Sequence, residues 1–171
     1  MAGFIGLILI MLFMIIVYRV MGVVSSIALA LYTALFCVIL SIGHINLSLP
    51  GIAGIILTIG MAVDANVVIF ERFNEEVRAG RSLKVALKTG FHNALSAIID
   101  ANVTTIIAAI VLMIFGTGSV QGFAKTLLLG VIVSLFSALL VTRFLMKQFI
   151  QLKNWNVSAF TSGVQSAKEA K

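Results

Sequence analysis

The chain has 171 residues, of which 61% are hydrophobic and 11% are charged, against about a quarter charged in soluble domains. A water-soluble fold of this size could not bury so much apolar surface, and a single cysteine forms no internal disulfide. The composition therefore excludes a soluble enzyme, a disordered chain and a disulfide-stapled secreted domain. The net charge of +6 has to be interpreted from where the charges lie.

Long apolar segments alternate with clusters of charge, and a helix of about 20 apolar residues can cross a bilayer. The first segment is short enough for a signal peptide, but Arg19 follows it and no basic residue precedes it, which disfavours that interpretation. The sequence predicts an all-α, polytopic membrane bundle over residues 1–150, with a cytoplasmic connector at 71–92 and a disordered cytoplasmic tail at 151–171. Its five transmembrane helices are expected at Gly3–Tyr18, Val20–Gly43, Pro50–Phe70, Asn93–Phe115 and Gly122–Met146.

The connector is expected to begin as an extension of the third span that ends near Gly80, because glycine commonly terminates helices. Ser82 can cap a new helix over about Leu83–Asn93. That helix has an apolar face and a lysine face, which suits the membrane surface.

The basic residues predict the orientation, because Lys and Arg are retained in cytoplasmic loops. Five lie in the connector and four follow the fifth span, whereas the connections at the other end contain only Lys125. The C-terminus is therefore expected in the cytoplasm and the N-terminus outside. The basic excess then reflects topology and argues against nucleic-acid binding. An odd number of spans that starts outside also predicts at least one further helix upstream.

Two acidic residues lie inside the predicted spans, Asp64 in the third and Asp100 in the fourth, and each is followed by Ala and Asn. A charge at membrane depth costs at least about 2.5–3.5 kcal/mol on insertion scales, so such residues are usually functional. Helix geometry places both Asp-Ala-Asn triplets about 10–12 Å from the cytoplasmic helix ends.

These triplets predict a proton relay of Asp64, Asn66, Asp100 and Asn102. A low-dielectric environment favours the neutral form of a carboxyl group, so a carboxyl there can take up and release a proton. The asparagines can hydrogen-bond either form. The structural alternative is that Asp100 caps or bonds backbone and that Asp64 pairs with an asparagine across helices.

Small residues recur every four positions in several spans, which lets helices approach closely in lipid. His44 and His92 are expected at opposite membrane faces, so no metal site, catalytic pair or cofactor is predicted. The fifth span contains one such row, formed by Gly130, Ser134, Ala138 and Thr142.

An ordered set of motifs, from about Gly3 to Ile150, resembles the SecD family of protein-export membrane subunits in the resistance–nodulation–division (RND) superfamily. Family members have six membrane helices, and a first helix with a large extracytoplasmic domain precedes the part found here. The motifs are Leu49–Gly54, Gly60–Val67, Phe70–Arg72, Ile99–Thr105, Phe115–Gly118 and Gly122–Ala124.

The resemblance implies a subunit of the bacterial inner membrane that works with SecF. The pair would use the proton-motive force to assist the SecYEG translocon in moving a polypeptide outward. Asp64 occupies the position of the aspartate that is implicated in proton conduction in the family.

Two other function classes stay open. One is a proton-coupled small-molecule exporter of the same superfamily. The other is an intramembrane aspartyl protease, in which two aspartates act as acid and base. Because the Asp-Ala-Asn contexts do not resemble the glycine-flanked motif of those proteases, the chain is not expected to be an enzyme.

Overall fold

The computed structural model describes residues 2–43 and 48–152, which contain helices and no strand. A π-helical turn, Ser137–Thr142, connects the last two helices. The all-α helix bundle predicted from the sequence is confirmed. Its α-helices are α1 (Ala2–Tyr18), α2 (Val20–Ile42), α3 (Leu49–Arg78), α4 (Leu83–Phe115), α5 (Ser119–Phe136) and α6 (Arg143–Leu152).

Four helical stretches are long and apolar enough to cross a membrane, with mean hydropathies of 2.1–2.4. A fifth apolar helix, Ile5–Tyr18, is shorter. Large apolar side chains cover the outer surfaces of these helices, as expected for helices that face lipid. The four longer stretches are Val20–Ile42, Leu49–Arg78, Leu83–Phe115 and Ser119–Ile150.

The ends of α3 follow from local sequence. Ser48 caps the N-terminus, where its side-chain oxygen accepts a hydrogen bond of 3.2 Å from the Gly51 amide. Pro50 occupies the first turn, where its missing N–H is not needed. After the C-terminus, Gly80 has a φ of +85°, which allows the sharp turn into α4.

The predicted surface helix over Leu83–Asn93 is not a separate element, because α4 runs without a break from Leu83 to Phe115. Its apolar face, which includes Ala86 and Phe91, is buried against the bundle. At Gly90 a methyl group would lie 2.8 Å from the Phe73 backbone on α3. With this close packing, α4 begins at Leu83, well before Asn93, where the fourth span was expected to begin.

The central helix is α3, which packs against α4 and α5. Small residues allow the close approach to α5. A methyl group at Gly130 would lie 2.5 Å from Cγ2 of Thr58, and one at Gly54 would lie 2.5 Å from Oγ1 of Thr126. The row of small residues predicted in the fifth span therefore faces α3, at least at Gly130.

Two sequence predictions fall partly outside the described residues. His44 is outside them, and so is residue range 153–171 of the expected tail. The first two residues of that expected tail are the last two of α6.

Candidate functional site

Asp64 lies at a groove between α1 and α3 with a volume of about 600 Å³. Apolar side chains such as Phe13, Met14, Leu57 and Met61 form most of its wall, and Asp64 is the only charged residue among the described residues that line it. Asp64 has no hydrogen-bond or ion-pair partner within the described part of the chain. The groove thus presents one carboxyl group, with Tyr18 as the other polar residue of its described lining, to a mostly apolar space.

Asn66 follows two residues later and faces the other way, because such positions are about 200° apart around a helix. Its side chain is 3% exposed, and its Oδ1 accepts a hydrogen bond of 2.7 Å from Oγ1 of Thr142. Thr142 is the last residue of the π-helical turn and is fully buried. The two polar groups of the triplet therefore lie on opposite sides of α3.

The second triplet, on α4, also has its aspartate and its asparagine on opposite sides of the helix. Asp100 is exposed and accepts a hydrogen bond of 3.4 Å from Oγ of Ser96. Asn102 is buried and donates from Nδ2 to the Ile98 carbonyl at 2.6 Å, while its Oδ1 has no partner among the described residues. In both helices the aspartate points outward and the asparagine points into the bundle.

Within residues 2–43 and 48–152, no hydrogen bond joins any two of the four predicted relay residues. Each asparagine bonds to a partner other than an aspartate. The structure also differs from the structural alternative given for the two aspartates. Asp100 accepts a hydrogen bond from the Ser96 hydroxyl, and Asp64 does not pair with an asparagine among the described residues. The site is therefore two separate outward carboxyl groups, each with a buried amide two residues away.

Sequence reasoning missed Thr142 as a polar partner, because it counted this residue only as part of a row of small packing residues. A hydroxyl in an apolar span usually needs a hydrogen-bond partner, and that was the available signal. Tyr32 was also missed; its buried Oη donates to the Gly130 carbonyl at 3.5 Å and connects α2 to α5. The described residues include no cluster of three or more His, Cys, Asp or Glu that could hold a metal ion.

Comparison with known proteins agrees with the motif pattern. A family model described as "Protein export membrane protein SecD/SecF, C-terminal" matches residues 1–152. The chain belongs to this SecD/SecF family. With its four long apolar helices, it is a multi-pass membrane protein, and the resemblance to SecD predicted from the motifs is confirmed.

Individual relatives point to the same part of SecD. The chain is 52% identical to the protein translocase subunit SecD of Dictyoglomus turgidum over 88% of this chain and 38% of the relative. It is 52% identical to SecD of a Synechocystis species over 85% of this chain and 31% of the relative. The chain thus spans about a third of the length of these curated relatives.

A solved structure has the same fold. The crystal structure of SecDF, a translocon-associated membrane protein from Thermus thermophilus, matches with a TM-score of 0.87 and 39% identity. The match covers 90% of this chain and 22% of that one. The bundle described above is therefore a SecD-type membrane domain.

Proposed function

We propose that this chain is the membrane part of a Sec protein-export subunit. With a SecF-type partner, beside a SecYEG-type translocon, it would use the proton-motive force to assist polypeptide translocation across a bacterial inner membrane. Family membership and the names of the relatives, protein translocase subunits, support this proposal. The same names favour a polypeptide over a small molecule as the transported substrate.

Asp64 is the proposed proton carrier, and its position in an apolar groove is the observation that carries this assignment. An ionised carboxyl group is unfavourable beside apolar walls at membrane depth, and protonation removes that cost. Protonation would therefore favour closer packing of α1 against α3, and deprotonation would favour an open groove. A group that alternates between these states can convert proton flow into helix movement.

Asn66 would transmit this change to the other side of α3. Its hydrogen bond to Thr142 connects the triplet of Asp64 to the π-helical turn that leads into α6. Turns of this type often occur at functional sites, where they change the direction of side chains. Asp100 and Asn102 would supply the second protonatable group and its amide on α4.

The exposed surface of α4 is the proposed contact for the partner. In its most apolar window 17% of the residues are buried, against 39–44% in the other three long stretches. Val103, Ile107 and Ile114 are among the exposed apolar residues on this helix, and Asp100 is exposed with them. A SecF-type subunit on this face would enclose Asp100 at the interface.

The test compares Asp64→Asn with Asp100→Asn in inverted membrane vesicles that contain each variant in its native complex. We expect Asp64→Asn to abolish stimulation of export by the proton-motive force and to leave basal export and partner association unchanged. Asp100→Asn, which has the same chemistry in the matching triplet, should retain part of the stimulation. Undiminished stimulation in Asp64→Asn vesicles would show that Asp64 is not the carrier.

A further inference from the structure

A second groove lies between the start of α4 and the segment formed by the π-helical turn and α6. Its volume is about 490 Å³. Four basic residues line it, and no acidic residue lies in its described lining. The basic residues are Lys84, Lys88, Arg143 and Lys147, and the apolar ones are Leu87, Leu139, Leu140, Phe144 and Ile150.

The four cations are not neutralised by the described part of the protein. The ion pairs there are Arg72–Glu75 and Arg81–Glu76, and neither includes a basic residue of the groove. Arg143 has an aromatic contact instead, with its guanidinium 4.9 Å from the centre of the Phe91 ring on α4. Cations gathered around one groove repel one another, and an anion between them removes that repulsion.

The apolar part of the groove identifies the kind of anion. Leu140 and Phe144 are 55% and 60% exposed, and both belong to a stretch long enough to cross a membrane, Ser119–Ile150. The other wall is the first part of α4, which also belongs to such a stretch. The groove is therefore at the end of two membrane helices, where phosphate head groups meet hydrocarbon.

We propose that this groove binds an anionic phospholipid. Its phosphate would lie among the four basic side chains, and an acyl chain would lie against Leu140 and Phe144. Basic pockets between membrane helices are suited to such head groups. A free phosphate ion would leave the apolar part uncovered, whereas a phospholipid joins both chemistries in one molecule. The site is distinct from the Asp64 groove and does not depend on proton transfer.

The first test measures binding of dioleoylphosphatidylglycerol to the full chain in neutral detergent by native mass spectrometry, with the zwitterionic dioleoylphosphatidylcholine, which has no net charge, as the comparison. Each basic residue near a lipid surface contributes about fivefold to affinity, so we expect Lys84→Gln/Lys88→Gln to weaken phosphatidylglycerol binding about 25-fold. The matched control is Arg72→Gln/Arg78→Gln, which removes two charges from the C-terminal turns of α3, outside the groove. Because Arg72 and Glu75 are both exposed, losing their ion pair should hardly affect folding.

Equal weakening by the two double variants would overturn the proposal, since it would indicate diffuse attraction by net charge. Equal binding of the two lipids by the unmodified chain would overturn it as well. Helix content and a single size-exclusion peak establish that each variant is folded.

The second test separates a lipid from other anions. Phe144→Ser should weaken phosphatidylglycerol binding and leave the weak binding of glycerol phosphate unchanged, because only the lipid uses the apolar wall. Phe144→Leu serves as the conservative control and should retain lipid binding. If glycerol phosphate competes for the groove as well as phosphatidylglycerol does, the groove is not a lipid site. The same conclusion follows if an acidic peptide displaces the lipid equally well from the unmodified chain and from Phe144→Ser.

Discussion

The hydroxyl of Thr142 donates a hydrogen bond of 2.7 Å to Oδ1 of Asn66, and both side chains are buried. This bond joins α3 to the π-helical turn between α5 and α6. Residues 66 and 142 are far apart in sequence, so the bond depends on the packing of two membrane helices. It also places a polar connection two residues from Asp64, on the opposite side of the same helix.

Replacing Thr142 by valine keeps the shape of the side chain and removes its hydroxyl. The buried Oδ1 of Asn66 then loses its donor, which we expect to cost about 0.6–2 kcal/mol of unfolding free energy. Unfolding in mixed detergent micelles measures this difference. Thr142→Ser keeps the hydroxyl and should lose less stability. A Thr142→Val protein as stable as the unmodified chain would show that the hydrogen bond does not contribute to stability.

Gly130→Ala should destabilise the packing of α3 against α5. The added methyl group would lie 2.5 Å from Cγ2 of Thr58, and such overpacking costs about 1–3 kcal/mol. Thr58→Gly should restore most of the loss in the double variant, because it removes the side chain that clashes.

Gly60→Ala on α3 is the matched control for this change, since nothing lies within 4 Å of a methyl group there. Its stability should be unchanged or slightly higher, because alanine favours helix over glycine. Thermal unfolding in detergent compares the variants. A Gly130→Ala protein as stable as Gly60→Ala would contradict the close contact between α3 and α5.

Asn102→Leu should raise stability by about 1 kcal/mol, because it removes a buried Oδ1 that has no partner among the described residues. The same change should lower the stimulation of export by the proton-motive force, since it removes an amide of the proposed relay. Thermal unfolding and the vesicle assay measure the two effects. Val103→Leu, at an exposed apolar position on α4, should change neither. A less stable Asn102→Leu protein would show that the amide has a structural role.

The orientation proposed from the distribution of Lys and Arg can be tested with single cysteines. Cys37 is the only cysteine, so a Cys37→Ser background allows Ala79→Cys and Ser119→Cys to be labelled separately. Both positions are exposed, one just after α3 and the other at the start of α5. We expect a membrane-impermeant maleimide to label Ala79→Cys in inverted vesicles and Ser119→Cys in right-side-out vesicles. The reverse pattern would refute a cytoplasmic connector.

Much of the fold could be predicted from composition and local pattern. Long uncharged segments predict helices, since an isolated helix satisfies its own backbone hydrogen bonds in lipid. Pro50 correctly predicted the start of α3, and Gly80 correctly predicted its end. The surface helix expected over about Leu83–Asn93 is instead the first part of α4, where close packing at Gly90 accompanies a stretch with a surface-like charge pattern.

The sequence by itself determined the membrane class of this protein, its family and the two Asp-Ala-Asn triplets, because each depends on residues that are near one another in the chain. Only the tertiary structure decided that Asp64 borders a groove formed with α1 and that Asn66 bonds to Thr142. It also decided that basic residues of α4 and α6 share one groove. Helical periodicity states which side chains share a face, but only the packing of the helices determines what each face contacts.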